Sequence, residues 1–222
     1  MIGASILACD LANIGNECKS VINKKIDFLH LDIMDGHFVP NITFGPPVIK
    51  CLRKHLGPEI IFDVHLMVTN PEKWIDHIIQ AGANIFTFHI ESVDEKTTKY
   101  IIQTCNEKNI KIGIALKPNT PICVIEPYIS NLYLVLIMSV EPGFGGQKCI
   151  PEMFDKIKEL RQKYPDINIE VDGGINETNI EDVIKAGANM IVAGSSIFQS
   201  NNKNMIQKYK NIIDRYKNNL LM

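Results

Sequence analysis

The chain has 222 residues, 45% of them hydrophobic and 22% charged, with a formal net charge of -2. These are ordinary values for a soluble globular protein, and the near-neutral balance gives no sign of a strongly basic surface for nucleic acid or anionic membrane. No apolar run approaches the roughly 18 to 20 residues that cross a bilayer, and length alone permits one large α/β domain or two small ones.

The start, MIGASILACD, lacks the basic opening of a signal peptide, and Asp10 interrupts its apolar run. From there short apolar, β-branched segments recur: ASILACD, DFLHLDIM, IIFDVHLMV, NIFTFHI, KIGIALKP, NLYLVLIMSV, INIEVDGG and MIVAGSS. Helix-like stretches separate them. NPEKWIDHIIQAG opens at Asn-Pro and closes at Gly82; NETNIEDVIKAG opens at an asparagine and closes at Gly187; PEMFDKIKELRQKYP is framed by prolines. After Ser200 the chain is rich in Asn and Lys. Met205, Ile206, Tyr209, Ile212, Ile213 and Tyr216 keep helical spacing there and predict a final amphipathic helix.

Strand–helix alternation predicts parallel pairing. Eight units in 222 residues leave roughly 28 residues each, enough for one α/β domain over 1–222, a single (β/α)8 TIM barrel with short loops. A doubly wound open sheet is the alternative, but ACDLANIG offers no GxGxxG turn after the first strand.

Side chains alternate along a strand. His30, Asp32 and Met34 therefore share one face of the second strand, and Leu29, Leu31 and Ile33 the other. The third strand sets Asp63, His65 and Met67 against Phe62, Val64 and Leu66. The fourth sets Thr87, His89 and Glu91 against Phe86 and Phe88, and the seventh sets Glu170 and Asp172 against Ile169 and Val171. The polar faces point inward. Near the C-terminal strand ends, where barrel active sites sit, His30, Asp32, His65 and Asp172 suit a divalent metal cation such as Zn, Fe, Mn or Co. Asp63 lies one layer deeper and is expected to be internal packing; His89 and Glu91 are either outer partners of the ligands or packing. Asp35 is out of phase, and with Gly36 following it a turn role is expected.

Three glycine-bearing turns follow the late strands: PGFGG (142–146), DGG (172–174) and AGSS (193–196). Glycines let backbone N–H groups approach an anion, and this end of a barrel commonly binds phosphate. No arginine or lysine run accompanies them and no P-loop occurs, so a nucleoside triphosphate is not indicated. The cysteines (Cys9, Cys18, Cys51, Cys105, Cys123 and Cys149) form no CxxC pair; reduced thiols in a cytosol-like, cytoplasmic compartment are expected.

LHLDIMDGHFVPNITFG, FDVHLMV, VEPGFGGQ, EVDGGI and VAGSSIF together resemble the ribulose-phosphate 3-epimerase family, over nearly the whole chain from SILACDLANIG onward. The resemblance implies a (β/α)8 isomerase that interconverts D-ribulose 5-phosphate and D-xylulose 5-phosphate in the pentose phosphate pathway, commonly as a homo-oligomer. It implies Asp32 as proton acceptor and Asp172 as proton donor. It implies His30, Asp32, His65 and Asp172 as metal ligands, the same four reached from strand facing. Ser5 and His65 are implied as substrate contacts, and Met34, Met67 and Met138 as methionines crowding the reacting centre. Gly143, Phe144, Gly145, Gly146, Gly173, Gly174, Gly194 and Ser195 fall on the phosphate loops. Three departures touch no ligand: Ala4 replaces a common proline, Cys9 a small residue and Ser196 an alanine. An epimerase of a six-carbon ketose phosphate such as allulose 6-phosphate would share this catalytic set. The DxKxxD signature of related decarboxylases is absent, since this strand reads DIMD. A non-catalytic phosphosugar-binding barrel need not keep both aspartates and all four ligands.

Overall fold

The computed structural model describes residues 1–199 and 204–219. Eight parallel strands close into a barrel in sequence order: β1 (Ile2–Ser5), β2 (Phe28–Met34), β3 (Ile61–Met67), β4 (Ile85–His89), β5 (Lys111–Leu116), β6 (Leu134–Met138), β7 (Asn168–Asp172) and β8 (Met190–Ala193). β1 pairs with both β2 and β8, which shuts the ring. Around it run α1 (Ile14–Asn23), α2 (Pro46–Leu56), α3 (Ile75–Ala81), α4 (Glu95–Glu107), α5 (Met153–Lys163), α6 (Ile180–Ala186), the one-turn α7 (Ser195–Phe198) and α8 (Met205–Asn219). No helix among the described residues is long and apolar enough to cross a membrane.

Three local expectations are corrected. The first apolar run is strand only at its start: β1 ends at Ser5 and Ile6–Ala8 form a 3-10 turn. Gly3 hides the true beginning, because the Phe28 ring fills the space a side chain would take there. The β5–β6 connection carries a 3-10 run, Ile122–Asn131, containing Pro127; the missing proline N–H prevents a regular α-helix. The asparagine before α3 does not cap it: Asn70 is left-handed at the head of a 3-10 turn. Asn176, at the start of the stretch that leads into α6, does accept the Thr178 N–H on its side chain.

Outward strand residues such as Leu31, Val64 and Phe88 pack on the helices in one continuous core; each fully buried side chain of this size contributes roughly 1.5–3 kcal/mol. The predicted α8 face is buried with them. Inside the barrel, Phe28, Ile85, Ala115, Leu134, Leu136, Met138, Met190 and Val192 form a second cluster. Polar residues of β2, β3, β4 and β7 occupy the remaining sector.

Two arginines tie the loops that lead into the strands. Arg53 of α2 donates to the carbonyls of Gly57, Ile60 and Gly82 and to Asn84 Oδ1, which also accepts Phe62 N–H. Arg161 of α5 does the same to Pro165, Ile167 and Gly187, while Asn189 Oδ1 accepts Ile169 N–H. The tetrapeptide AGAN stands at both places, 81–84 and 186–189.

Candidate active site and metal centre

Strand alternation and register bring the four proposed ligands together. Across β2 and β3, Asp32 stands beside His65 and His30 beside Asp63. His30 Nε2 lies 3.3 Å from Asp32 Oδ1 and 4.0 Å from Asp172 Oδ2, and His65 Nδ1 lies 3.1 Å from Asp32 Oδ1. The two imidazole nitrogens are 3.3 Å apart. One ligand atom from each of the four residues falls within 4.8 Å of all the others.

The donor chemistry fits a divalent cation. His30 Nδ1 is 2.7 Å from Asp63 Oδ2; with the ring proton donated there, the Nε2 lone pair faces the cluster. Two imidazole nitrogens and two carboxylates converging at this distance need protons or a cation between them, and N/O donors of this kind suit zinc, iron, manganese or cobalt.

Protons hold the cluster when no cation does. Burial opposes charge on His30, but the Asp32 and Asp63 carboxylates outweigh it and hold the imidazolium well above its ordinary range. Burial also opposes ionised Asp32, but His30 and His65 prevail and keep it far below the usual carboxylate range. Burial, reinforced by the Asp32 charge, raises Asp172 to about 6. A divalent cation must displace the His30 proton and, below about pH 6, the Asp172 proton. Apparent Co²⁺ affinity should therefore rise with pH between 5 and 7.5, with net proton release at the acid end. Calorimetry in buffers of different ionisation enthalpy measures both, and an affinity flat across that range would contradict the assignment.

Deeper in the barrel, Asp63 accepts from His30 and from Thr87 Oγ1. Glu170 Oε1 is 3.1 Å from His30 Nδ1. Complete burial and then the Asp63 charge push Glu170 well above the carboxylate range, so it enters the interior as the neutral acid.

A pocket opens above this cluster, with Asp32, Asp172, Met34, Met67 and Met138 in its floor and walls. Ser5 also lines it and donates from Oγ to Asp32 Oδ2 at 2.7 Å. The β6–α5 loop contributes Gly143, Phe144, Gly145 and Gly146; Gly173 and Gly174 follow β7, and Gly194 and Ser195 follow β8. His30 and His65 are fully buried beneath the floor. Gly174 has φ +64, and a Cβ there would stand 2.3 Å from Cys149 N, so only glycine fits this turn.

Other residues in and around the site carried weaker sequence signals. Ser139, the polar interruption in YLVLIMSV, is fully buried; its N–H donates to the Asp172 carbonyl and its hydroxyl to the Asp172 and Gly173 carbonyls. Asn41 Nδ2 donates to the Gly143 carbonyl, joining the loops after β2 and β6. Asp35 serves a turn, accepting from His37 N–H, Phe38 N–H and Thr69. Behind His65, His89 Nε2 lies 3.0 Å from His65 Nε2, and His89 Nδ1 lies 3.0 Å from Glu91 Oε2. Burial above all lowers His89 to about 4, so it is neutral. Burial opposes ionised Glu91, but hydrogen bonds led by that of His89 bring it down to about 2.

The model of the ribulose-phosphate 3 epimerase family matches residues 1–198. The cytoplasmic isoform of ribulose-phosphate 3-epimerase from Oryza sativa subsp. japonica is 48% identical over 200 residues, covering 89% of this chain and 86% of that one. Ribulose-phosphate 3-epimerase from Eremothecium gossypii is 45% identical over 207 residues, with the same coverage of 89% and 86%. Among solved structures, 3-keto-L-gulonate-6-phosphate decarboxylase from Vibrio cholerae superposes with a TM-score of 0.73 at 15% identity, covering 97% of each chain, a likeness of fold alone. With the family model spanning the barrel and relatives near half identity along it, the chain belongs to the ribulose-phosphate 3-epimerase family.

Proposed function

We propose that this isomerase, one catalytic domain over residues 1–222, interconverts D-ribulose 5-phosphate and D-xylulose 5-phosphate through an enediolate. The observation that carries the reading is the pairing of Asp32 and Asp172. They reach one pocket floor from β2 and β7, and their environments push them apart, with Asp32 ionised and Asp172 raised to about 6. Two carboxyl groups so separated are an acid–base pair. Asp32 takes the C3 proton from one face of ribulose 5-phosphate, and Asp172 returns one to the opposite face; the reverse reaction exchanges the roles. The Ser5 hydroxyl holds Asp32 by its second oxygen. Met34, Met67 and Met138 keep water from the intermediate and offer no protons of their own. Glycine turns after β6, β7 and β8 receive the phosphate by backbone N–H groups. A divalent cation held by His30, Asp32, His65 and Asp172 would supply Lewis acidity for the negative charge that develops on the substrate oxygens.

Incubation with D-ribulose 5-phosphate in D₂O should yield xylulose 5-phosphate carrying deuterium at C3. Preferential turnover of allulose 6-phosphate would transfer the activity to the six-carbon substrate. Binding of both sugars without exchange would reject catalysis.

A further inference from the structure

His65 has to present its Nδ1 lone pair to the cluster if it is to serve as a ligand, and its nearest acid works against that. Asp32 Oδ1 is 3.1 Å from Nδ1, a distance at which the carboxylate draws the ring proton onto that nitrogen. What decides the tautomer lies on the far side of the ring.

Glu91 Oε1 accepts the Lys117 backbone N–H at 2.8 Å, and Oε2 is 3.0 Å from His89 Nδ1. An ionised carboxylate only accepts, so His89 Nδ1 is the donor. His89 Nε2 then faces His65 Nε2 3.0 Å away. Two bare nitrogens cannot meet at that distance, so one proton lies between them, and a proton carried by His65 Nε2 leaves its Nδ1 bare. The path is shielded. His89 is fully buried, the Phe38 ring lies against it with centroids 4.9 Å apart, and Lys117 Nζ covers Phe38 at 4.0 Å.

We propose that Glu91 and His89 form a tautomer relay that keeps His65 Nδ1 available to the metal, with His89 a positioning residue that touches neither metal nor substrate. The inference rests on the metal-centre reading above. Orienting partners of metal-bound histidines typically contribute about 10- to 100-fold in affinity. Here the contribution passes through a second imidazole before it reaches a carboxylate.

The test compares Zn²⁺ affinity, by competition with a chromophoric chelator, and nitrogen-15 histidine spectra in the wild-type chain, His89→Phe, His89→Gln, Glu91→Ala and His65→Ala. Glu91→Ala and His89→Phe should bind Zn²⁺ about 10- to 100-fold more weakly, with the His65 proton moved from Nε2 to Nδ1. His89→Gln, whose amide can accept from His65 and donate to Glu91, should recover most of the affinity. Wild-type affinity and an unmoved proton in both Glu91→Ala and His89→Phe would overturn the relay. Should His89→Phe fail to fold, Glu91→Ala decides, because Glu91 sits at the partly exposed rim. If the wild-type chain takes up no Zn²⁺, or His65→Ala binds it equally well, the metal-centre reading fails. The spectra of the zinc-free chain then decide the relay alone: a proton that moves on Glu91→Ala upholds it, and one that stays refutes it.

Discussion

Asp172→Asn is expected to lower kcat by about 10²–10⁴, the usual contribution of one positioned acid–base group, while the variant, compared with wild type with both metal-free, melts at or above the wild-type temperature. The side chain is nearly isosteric, and the backbone of the turn is held independently by Ser139 through the Asp172 and Gly173 carbonyls. Removing a carboxyl that burial already disfavours as an anion relieves the fold instead of harming it. The chemistry loses its second face. With Asp32 intact, the variant should still exchange the C3 proton of ribulose 5-phosphate with D₂O, yet form almost no xylulose 5-phosphate. Asp32→Asn should show the converse, exchanging xylulose 5-phosphate only. Proton NMR of each sugar follows both reactions. Turnover by Asp172→Asn within tenfold of wild type would remove Asp172 from the mechanism.

Stripping metal is expected to be as severe. Lewis-acid stabilisation of several kcal/mol corresponds to a loss on the order of 10³-fold in rate, restored by adding Zn²⁺, Co²⁺, Mn²⁺ or Fe²⁺ to the chelated protein. Because a cation bound only by the folded state stabilises it by mass action, the melting temperature should fall and recover in parallel. Full activity in a preparation shown by elemental analysis to lack metal would reject the role.

Much of this site could be read from strand phase. Alternation alone sets His30, Asp32, His65 and Asp172 on inward faces, since a period of two needs only the correct strand. The exceptions share a cause. Gly3 reads as a break until Phe28 is seen to fill its space. Ser139 reads as the frayed end of an apolar run until the β7 turn lies against it. The tautomer proposed for His65 turns on Glu91, a residue two places beyond the end of β4 and held by the N–H that follows β5. None of these contacts has a local signature, because each joins elements that meet only when the barrel closes.

The paired clamps of Arg53 and Arg161 give the barrel a two-fold pseudo-symmetry. Matching Asn84 with Asn189, and the strand N–H each side chain receives, sets Phe62 on Ile169. A half-turn then carries Asp63 to Glu170 and His65 to Asp172, so the third and fourth ligands hold one position in two related halves. Strand register extends the match from Leu29 to Val135, which lays His30 on Leu136 and Asp32 on Met138. His89 falls on Gly194. One half thus spends that last position on an imidazole behind a ligand, and the other leaves it bare beside the phosphate turns. The site's asymmetry comes down to a few side-chain choices on a repeated frame.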